Sequence, residues 1–283
     1  MNTYPILYNR NEVTFGKLNS SQEILSLFDK IFGRKFKIDI LEWFASCPTG
    51  GNVWYGAFYR DVPVAMYGLL PMKLNVNNQV YDGALCNNVG VTPEFQGKGL
   101  FQSLGEYALK DSNFPIVVGI PNSKAVKGHK RIGWKSYGVL ELLSGEVSER
   151  RIKFVELDGF IFCPSNDNYQ FSIVKNLDWL KWRYSKPTID YKQSLFVNHQ
   201  YVIWKNYQQK KQVLETNNFK LAIELGGTVD LWVFKDSSQS NYLKNHGFSS
   251  ILENEFILYQ NENFELSCDA DRCQFQLGDN DVF

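Results

Sequence analysis

Two stretches of this chain, 139 residues apart, are built alike. Ile40-Leu41-Glu42-Trp43-Phe44 leads to Pro48-Thr49 and then to the β-prone run VWYGAFYRDVPVAMYGLL, whose Arg60-Asp61 step marks a hairpin. Asp178-Trp179-Leu180-Lys181-Trp182 leads to Pro187-Thr188 and then to QSLFVNHQYVIW. At this offset Pro48 falls on Pro187, Thr49 on Thr188, Arg60 on His199 and Val64 on Ile203. A second echo pairs KRIGWKSYGVLELL (130 to 143) with KNHGFSSILENEFIL (244 to 258), each a helix end, a glycine, an aromatic and a β-rich run. Such repetition points to two copies of one α/β unit: a helix pair leading into strands, a helix and a final strand group. A chain of 283 residues holds two. The division is expected within residues 145 to 159, where charge density rises, which gives units 1–147 and 148–283.

The copies differ in one loop. Residues 80 to 91, VYDGALCNNVGV, read as a strand, and helical periodicity begins at Phe101, with Leu100, Leu104, Tyr107 and Ala108 on one side. Between them lies TPEFQGKG, which has no counterpart in the second copy, where ETNNFKLAIELGGTVD suggests a short helix. A strand, turn and helix of this kind leaves the first N–H groups of the helix unpaired beside the positive end of its dipole. A phosphate fits there. Gly97 and Gly99 allow backbone to approach it, Lys98 adds a charge and Gln96 a hydrogen bond. The spacing is neither that of a nucleotide-triphosphate loop nor of a dinucleotide fingerprint.

Composition narrows the partners. Apolar residues make up 44% and charged residues 21%, as in ordinary globular chains, so disorder is not expected. Thirty basic residues balance thirty acidic ones, which argues against a nucleic-acid partner. No apolar run approaches a membrane span, and Met1 is not followed by a basic and hydrophobic leader, so the expected location is the cytoplasm. Five scattered cysteines, Cys47, Cys86, Cys163, Cys268 and Cys273, lack zinc-site spacings and read as reduced thiols, with no metal expected. The aromatic residues Trp43, Trp54, Tyr55, Trp134, Trp179 and Trp182 read as mostly core.

VGVTPEFQGKGLFQSL resembles the acyl-CoA pyrophosphate loop of the GNAT superfamily of N-acyltransferases, Gln or Arg, two residues, Gly, one residue, then Gly or Ala. Gln96 and Gly99 match; Phe101 stands where a small residue is the rule. FPIVVGIPN (114 to 122), a helix through SKAVKGHKR and the following IGW extend the likeness over residues 20 to 143. The resemblance implies an α/β fold with a mixed central sheet and flanking helices, as two tandem GNAT-like domains with the second degenerate. It implies acetyl-CoA or a longer acyl-CoA as co-substrate, held by Val89, Gly90 and Val91 on a bent strand, by Gln96, Gly97, Lys98, Gly99, Leu100 and Phe101 in the loop, and by Asn122.

Acyl transfer to an amine needs a donor for the oxyanion and a proton for the leaving thiolate. The family's tyrosine acid maps onto His129, which shares a helix side with Ala125 and Ile132. An imidazole could protonate a thiolate near neutral pH. A base is harder to place: Asp82 is the one acid among the inward positions Asp82, Ala84, Cys86 and Asn88, and Glu141 is the runner-up, more naturally on a wet face. Lys124, Lys127 and Arg131 form a stripe that either is solvated or meets phosphate.

The expected activity is N-acylation of a small amine, with a nucleotide-linked amino sugar for bacterial surface polysaccharide preferred. An antibiotic, amino acid or peptide amine is the rival acceptor, and a non-catalytic binding protein the rival class. Oligomeric state is not readable. The acidic tail from Asn261 is expected to hold a last strand and a mobile end.

Overall fold

In the strand β3 (Val62–Val76) both faces are covered, which explains its unbroken apolar run. Met66, Leu70, Met72 and Leu74 face one hydrophobic cluster, while Ala65, Tyr67 and Leu69 face another. Alternation of side chains along a strand divides the two layers. The structure, a computed structural model, describes residues 9–148, 154–155, 169–196, 199–261 and 269–280.

Six strands come from the first half: β1 (Val13–Lys17), β2 (Val53–Tyr59), β3, β4 (Gln79–Val91), β5 (Ile116–Gly119) and β6 (Lys135–Val147). The remainder are β7 (Phe154–Val155), β8 (Phe171–Ile173), β9 (Tyr191–Leu195), β10 (Tyr201–Tyr207), β11 (Lys210–Thr216), β12 (Gly227–Phe234) and β13 (Ser249–Gln260). They form one mixed sheet in the order β1-β2-β3-β4-β5-β13-β6-β12-β11-β10-β9-β7, with β8 paired to β3. The wiring repeats: β4 runs parallel to β5, and β11 parallel to β12. Each half also sends its last strand across, since β13 lies between β5 and β6 while β6 lies between β13 and β12. This order allows two units of like topology within a continuous sheet.

Helices cover both faces. On one side α1 (Ser21–Phe32), α2 (Ile38–Ala45) and α5 (Leu177–Arg183) bury Leu27, Phe28, Phe44, Trp43, Trp179 and Trp182 in a core that reaches Phe234 and Phe256 of the second half. On the other side α3 (Leu100–Ser112) packs Leu100, Leu104 and Ala108 on β2 and β3. Local signals set the ends. Ser20 accepts from the Glu23 N–H at the start of α1, and Gly33 at φ 63° stops it. Arg60 and Asp61 both have positive φ in the β2–β3 turn, the hairpin expected from sequence.

The second echo is also structural. α4 (Ser123–Arg131) and α6 (Ser238–Asn245) each end on a glycine of positive φ, Gly133 and Gly247, followed by buried Trp134 and Phe248. The expected short helix in the second half is a 3-10 turn, Phe219–Glu224. Among the described residues of the tail there is no further strand; a 3-10 turn, Ala270–Arg272, and α7 (Leu277–Asn280) lie there instead. Most of the expected boundary segment, together with Cys163 and Cys268, lies outside the described residues.

The chain 273–280 packs into the second half. Lys175 Nζ lies 2.5 Å from Glu215 and 2.7 Å from Asp279, with all three side chains buried. Burial pushes the Glu215 carboxyl up to about 7, against the pull of Lys175.

Candidate active site

β4 and β5 pair only over Gly83–Leu85 and Ile116–Val118, and beyond that they part. The divergence has a local cause. The register of β3 on β4 slips between Met66 and Gly68, and Asn88, opposite this slip, adopts φ 48°. A bulge there turns the end of β4 away from its neighbour. Asparagine tolerates this backbone better than a branched residue would.

The wedge holds a cavity of about 230 Å³ whose walls include Cys86, Asn88 and Val89 of β4, Gly119 at the end of β5, Ile120 to Asn122 beyond it, and His129 of α4. It is an uncharged lining. Burial pushes the Cys86 thiol up to about 12 and lowers His129 to about 4, so both are neutral at pH 7. His129 sits in an aromatic box, with ring centroids 4.8 Å from Trp134, 5.0 Å from Phe101 and 6.0 Å from Tyr67. Its Nδ1 and the Asn88 Oδ1 are buried without hydrogen-bond partners among the described residues.

Beside this wedge a larger cleft of about 640 Å³ opens over the start of α3. Gly97 and Gly99 have φ 75° and 79°, and no atom lies within 4 Å of where a Cβ would stand on either. The first helical N–H to find a carbonyl is that of Ser103, on Gly99, so the amides of Leu100, Phe101 and Gln102 are unpaired among the described residues. Gly99 supplies no side-chain cap and the first turn holds no acid. Three unpaired donors and a dipole end facing an open cleft suit an anion.

Most of the residues expected at the loop meet here. Gly90, Val91, Gln96, Gly97, Gly99, Leu100, Phe101 and Asn122 line the cleft, and Val89 lines the adjoining wedge. Gln96 holds the loop by donating to Val91 O at 3.1 Å. The bulk of Phe101 is absorbed by a glycine: a Cβ on Gly128 would lie 2.6 Å from the Phe101 ring, so the ring packs on α4. Asn122 caps α4, accepting from the N–H groups of Lys124 and Ala125 at 3.1 and 3.0 Å.

Other expected residues are not brought to the site. Lys98 turns back, donating to Glu94 O at 2.8 Å and lying 4.8 Å above the Phe95 ring. Asp82 pairs with Lys73 at the far end of β4, its side chain 75% exposed, because the strand carries it away from the bulge. Glu141 is not on a wet face: it is fully buried under α6, bonded to Ser240 and, at 2.9 Å, to Lys244. The stripe Lys124, Lys127 and Arg131 lines the cleft. Asn280 also lines the wedge, a contribution of the tail that no local pattern signals.

No group of three or more His, Cys, Asp or Glu is placed to hold a metal, and no helix is long and apolar enough to cross a membrane, among the described residues.

Residues 14–136 match the family model of an acetyltransferase (GNAT) domain. No curated protein matches the chain. Solved structures share its fold at low identity. A GCN5-related N-acetyltransferase from Anabaena variabilis is 12% identical with a TM-score of 0.64, over 87% of this chain and 72% of that one. One from Kribbella flavida is 13% identical with a TM-score of 0.63, over 88% and 72%. A conserved protein of unknown function from Enterococcus faecalis V583 is 12% identical with a TM-score of 0.67, over 88% and 72%. The mixed sheet with flanking helices is thus the architecture of these GNAT-fold neighbours.

Proposed function

We propose that the protein is an acyl-CoA-dependent N-acyltransferase that acts on the amine of a small acceptor. One observation carries this reading: the uncapped start of α3 opens on a cleft of about 640 Å³ that adjoins the uncharged wedge between β4 and β5. The residues present fit a coenzyme A thioester. The amides of Leu100, Phe101 and Gln102 would receive its diphosphate, with Lys124, Lys127 and Arg131 as cations on the opposite wall. The splayed end of β4, Val89 to Val91, would offer backbone to the pantetheine arm.

In the transfer, the acceptor nitrogen bonds to the thioester carbon, the C–S bond breaks, the amine gives up a proton and the sulfur gains one. His129 is neutral at pH 7, so it can only pass a proton along, not serve as a standing imidazolium acid. Among the described residues, the wedge lining holds no carboxylate and no lysine. The amine therefore has to arrive largely unprotonated, which suits an amino sugar, whose amine is less basic than that of lysine. On this ground we prefer a nucleotide-linked amino sugar as acceptor. We also take the chain as two units, 1–147 and 148–283, with the second lacking the phosphate loop; the repeated strand order supports this.

The test is a thiol-release assay with several acyl-CoA donors over nucleotide-linked amino sugars, aminoglycosides, amino acids and polyamines. Calorimetric binding of acetyl-CoA runs beside it. Binding without release against any amine would make the protein a non-catalytic binder, and absence of binding would remove the reading altogether.

A further inference from the structure

β11 and β12 pair only over Lys211–Gln212 and Val229–Asp230, and beyond these they part as β4 and β5 do. A cavity of about 280 Å³ fills this second wedge, walled by the ends of both strands, by Gln239 of α6 and by the chain from Cys273 to Leu277. The space beyond the carboxyl ends of parallel strands is a common ligand position. When Gly133 is set on Gly247, Gln239 takes the helix position of Ala125, which lines the first cleft.

The lining is of another kind. Asn218 closes the start of the 3-10 turn by accepting from the Lys220 N–H at 3.1 Å, so no open helix end faces an anion. Among the described residues, no side chain in the cavity wall carries a charge. A phosphate or carboxylate buried there would lose its hydration with nothing in the wall to offset the loss. What the wall offers instead is amides and aromatic faces. Gln276 is already committed, to both backbone groups of Thr216 and to Glu215. The side chains of Gln200 and Gln239 have no hydrogen-bond partner among the described residues, and the Trp232 Nε1, in the same wall, is buried without one.

We propose that this second cleft binds a neutral polyhydroxylated molecule the size of one sugar ring. Amide pairs match vicinal hydroxyls because each supplies a donor and an acceptor. Trp232 and Phe219 would cover the apolar face of the ring. The volume lies at the small end of ligand cavities, too small for a sugar carrying a nucleotide.

The experiment is calorimetric titration of the intact chain with free hexoses, N-acetylhexosamines and a linear polyol, with acetyl-CoA titrated separately. At least one neutral ligand should bind at a single site, also in the presence of saturating acetyl-CoA. Gln239→Leu and Gln200→Leu should each weaken it about tenfold while acetyl-CoA binding stays unchanged. No saturable heat with any of these ligands, an affinity unchanged from the unaltered chain in both variants, or competition with acetyl-CoA would overturn the proposal. If a variant fails to fold, a soaked crystal of the unaltered chain decides: density in the wedge between β11 and β12 upholds it, and density elsewhere or nowhere ends it. The acetyl-CoA arm reads the first cleft alone, so either reading can fail without the other.

Discussion

Trp43 and Trp182 stack with ring centroids 4.5 Å apart and planes 6° from parallel, and each indole N–H donates to the other's backbone carbonyl, at 2.8 and 2.7 Å. The two residues are 139 positions apart, the offset of the sequence repeat. A reciprocal contact between equivalent residues is what a local two-fold axis produces, here between α2 and α5 of one chain. The pair is buried in a core shared by both halves, so neither half is expected to melt alone. Calorimetry should show a single unfolding transition. Trp43→Phe and Trp182→Phe should each cost about 1 kcal/mol, since each removes one buried hydrogen bond while the carbonyl it reached still accepts from a serine hydroxyl, Ser185 on Trp182 O and Ser46 on Trp43 O. The double variant should cost less than the sum, with a coupling of about 1 kcal/mol.

Gly99→Ala separates the phosphate loop from the fold. No protein atom lies within 4 Å of the new methyl, so only the backbone at φ 79° resists it, at about 1 kcal/mol. The methyl stands in the space assigned to the diphosphate. The apparent Kd for acetyl-CoA should rise at least about tenfold, far more than this stability loss explains. Calorimetric titration and denaturant unfolding of the same preparation check both parts.

Charge reversal on the helix stripe tests the other wall. Lys127→Glu should raise KM for acyl-CoA with little change in kcat, the mark of an interaction present equally in ground and transition states. The effect should shrink as salt rises, because exposed charges are screened within about 10 Å at 0.1 M. A KM unaltered at low salt would return the stripe to a solvated role.

What the sequence revealed about this site was local. The Gly97 and Gly99 turn, the helix of residues 123–131 and the Arg60-Asp61 hairpin follow from neighbours in the chain, and the structure has all three. Whether Asp82 or Asn88 reaches the wedge depends on one bulge, which neither strand's composition signals. Lys98 was expected at the phosphate from its place in the loop, yet its chain length lets it reach back to Glu94 O. The union of Lys175, Glu215 and Asp279 spans more than 100 positions and follows from tertiary packing alone. Asp82→Asn accordingly should leave both kcat and Tm unchanged, as an exposed ion pair contributes little.

The burial of His129 sets the sign of a pH effect. Its native value near 4 lies below the usual 6.5, so the unfolded chain binds the extra proton first as pH falls. No penalty exists above about pH 7; it grows through the window from 6.5 down to 4 and amounts to roughly 2 kcal/mol at pH 5. His129→Phe places an uncharged ring in the same aromatic box of Tyr67, Phe101 and Trp134, and removes a buried ring nitrogen that has no partner among the described residues. Denaturant unfolding at pH 7 and pH 5 should therefore show a smaller acid loss in the variant, by about that amount. Turnover divides the two roles left to His129. If it relays the thiolate's proton, His129→Phe lowers kcat while acetyl-CoA still binds. If it only packs, kcat stays within a small factor of the original and the stability difference is the whole effect.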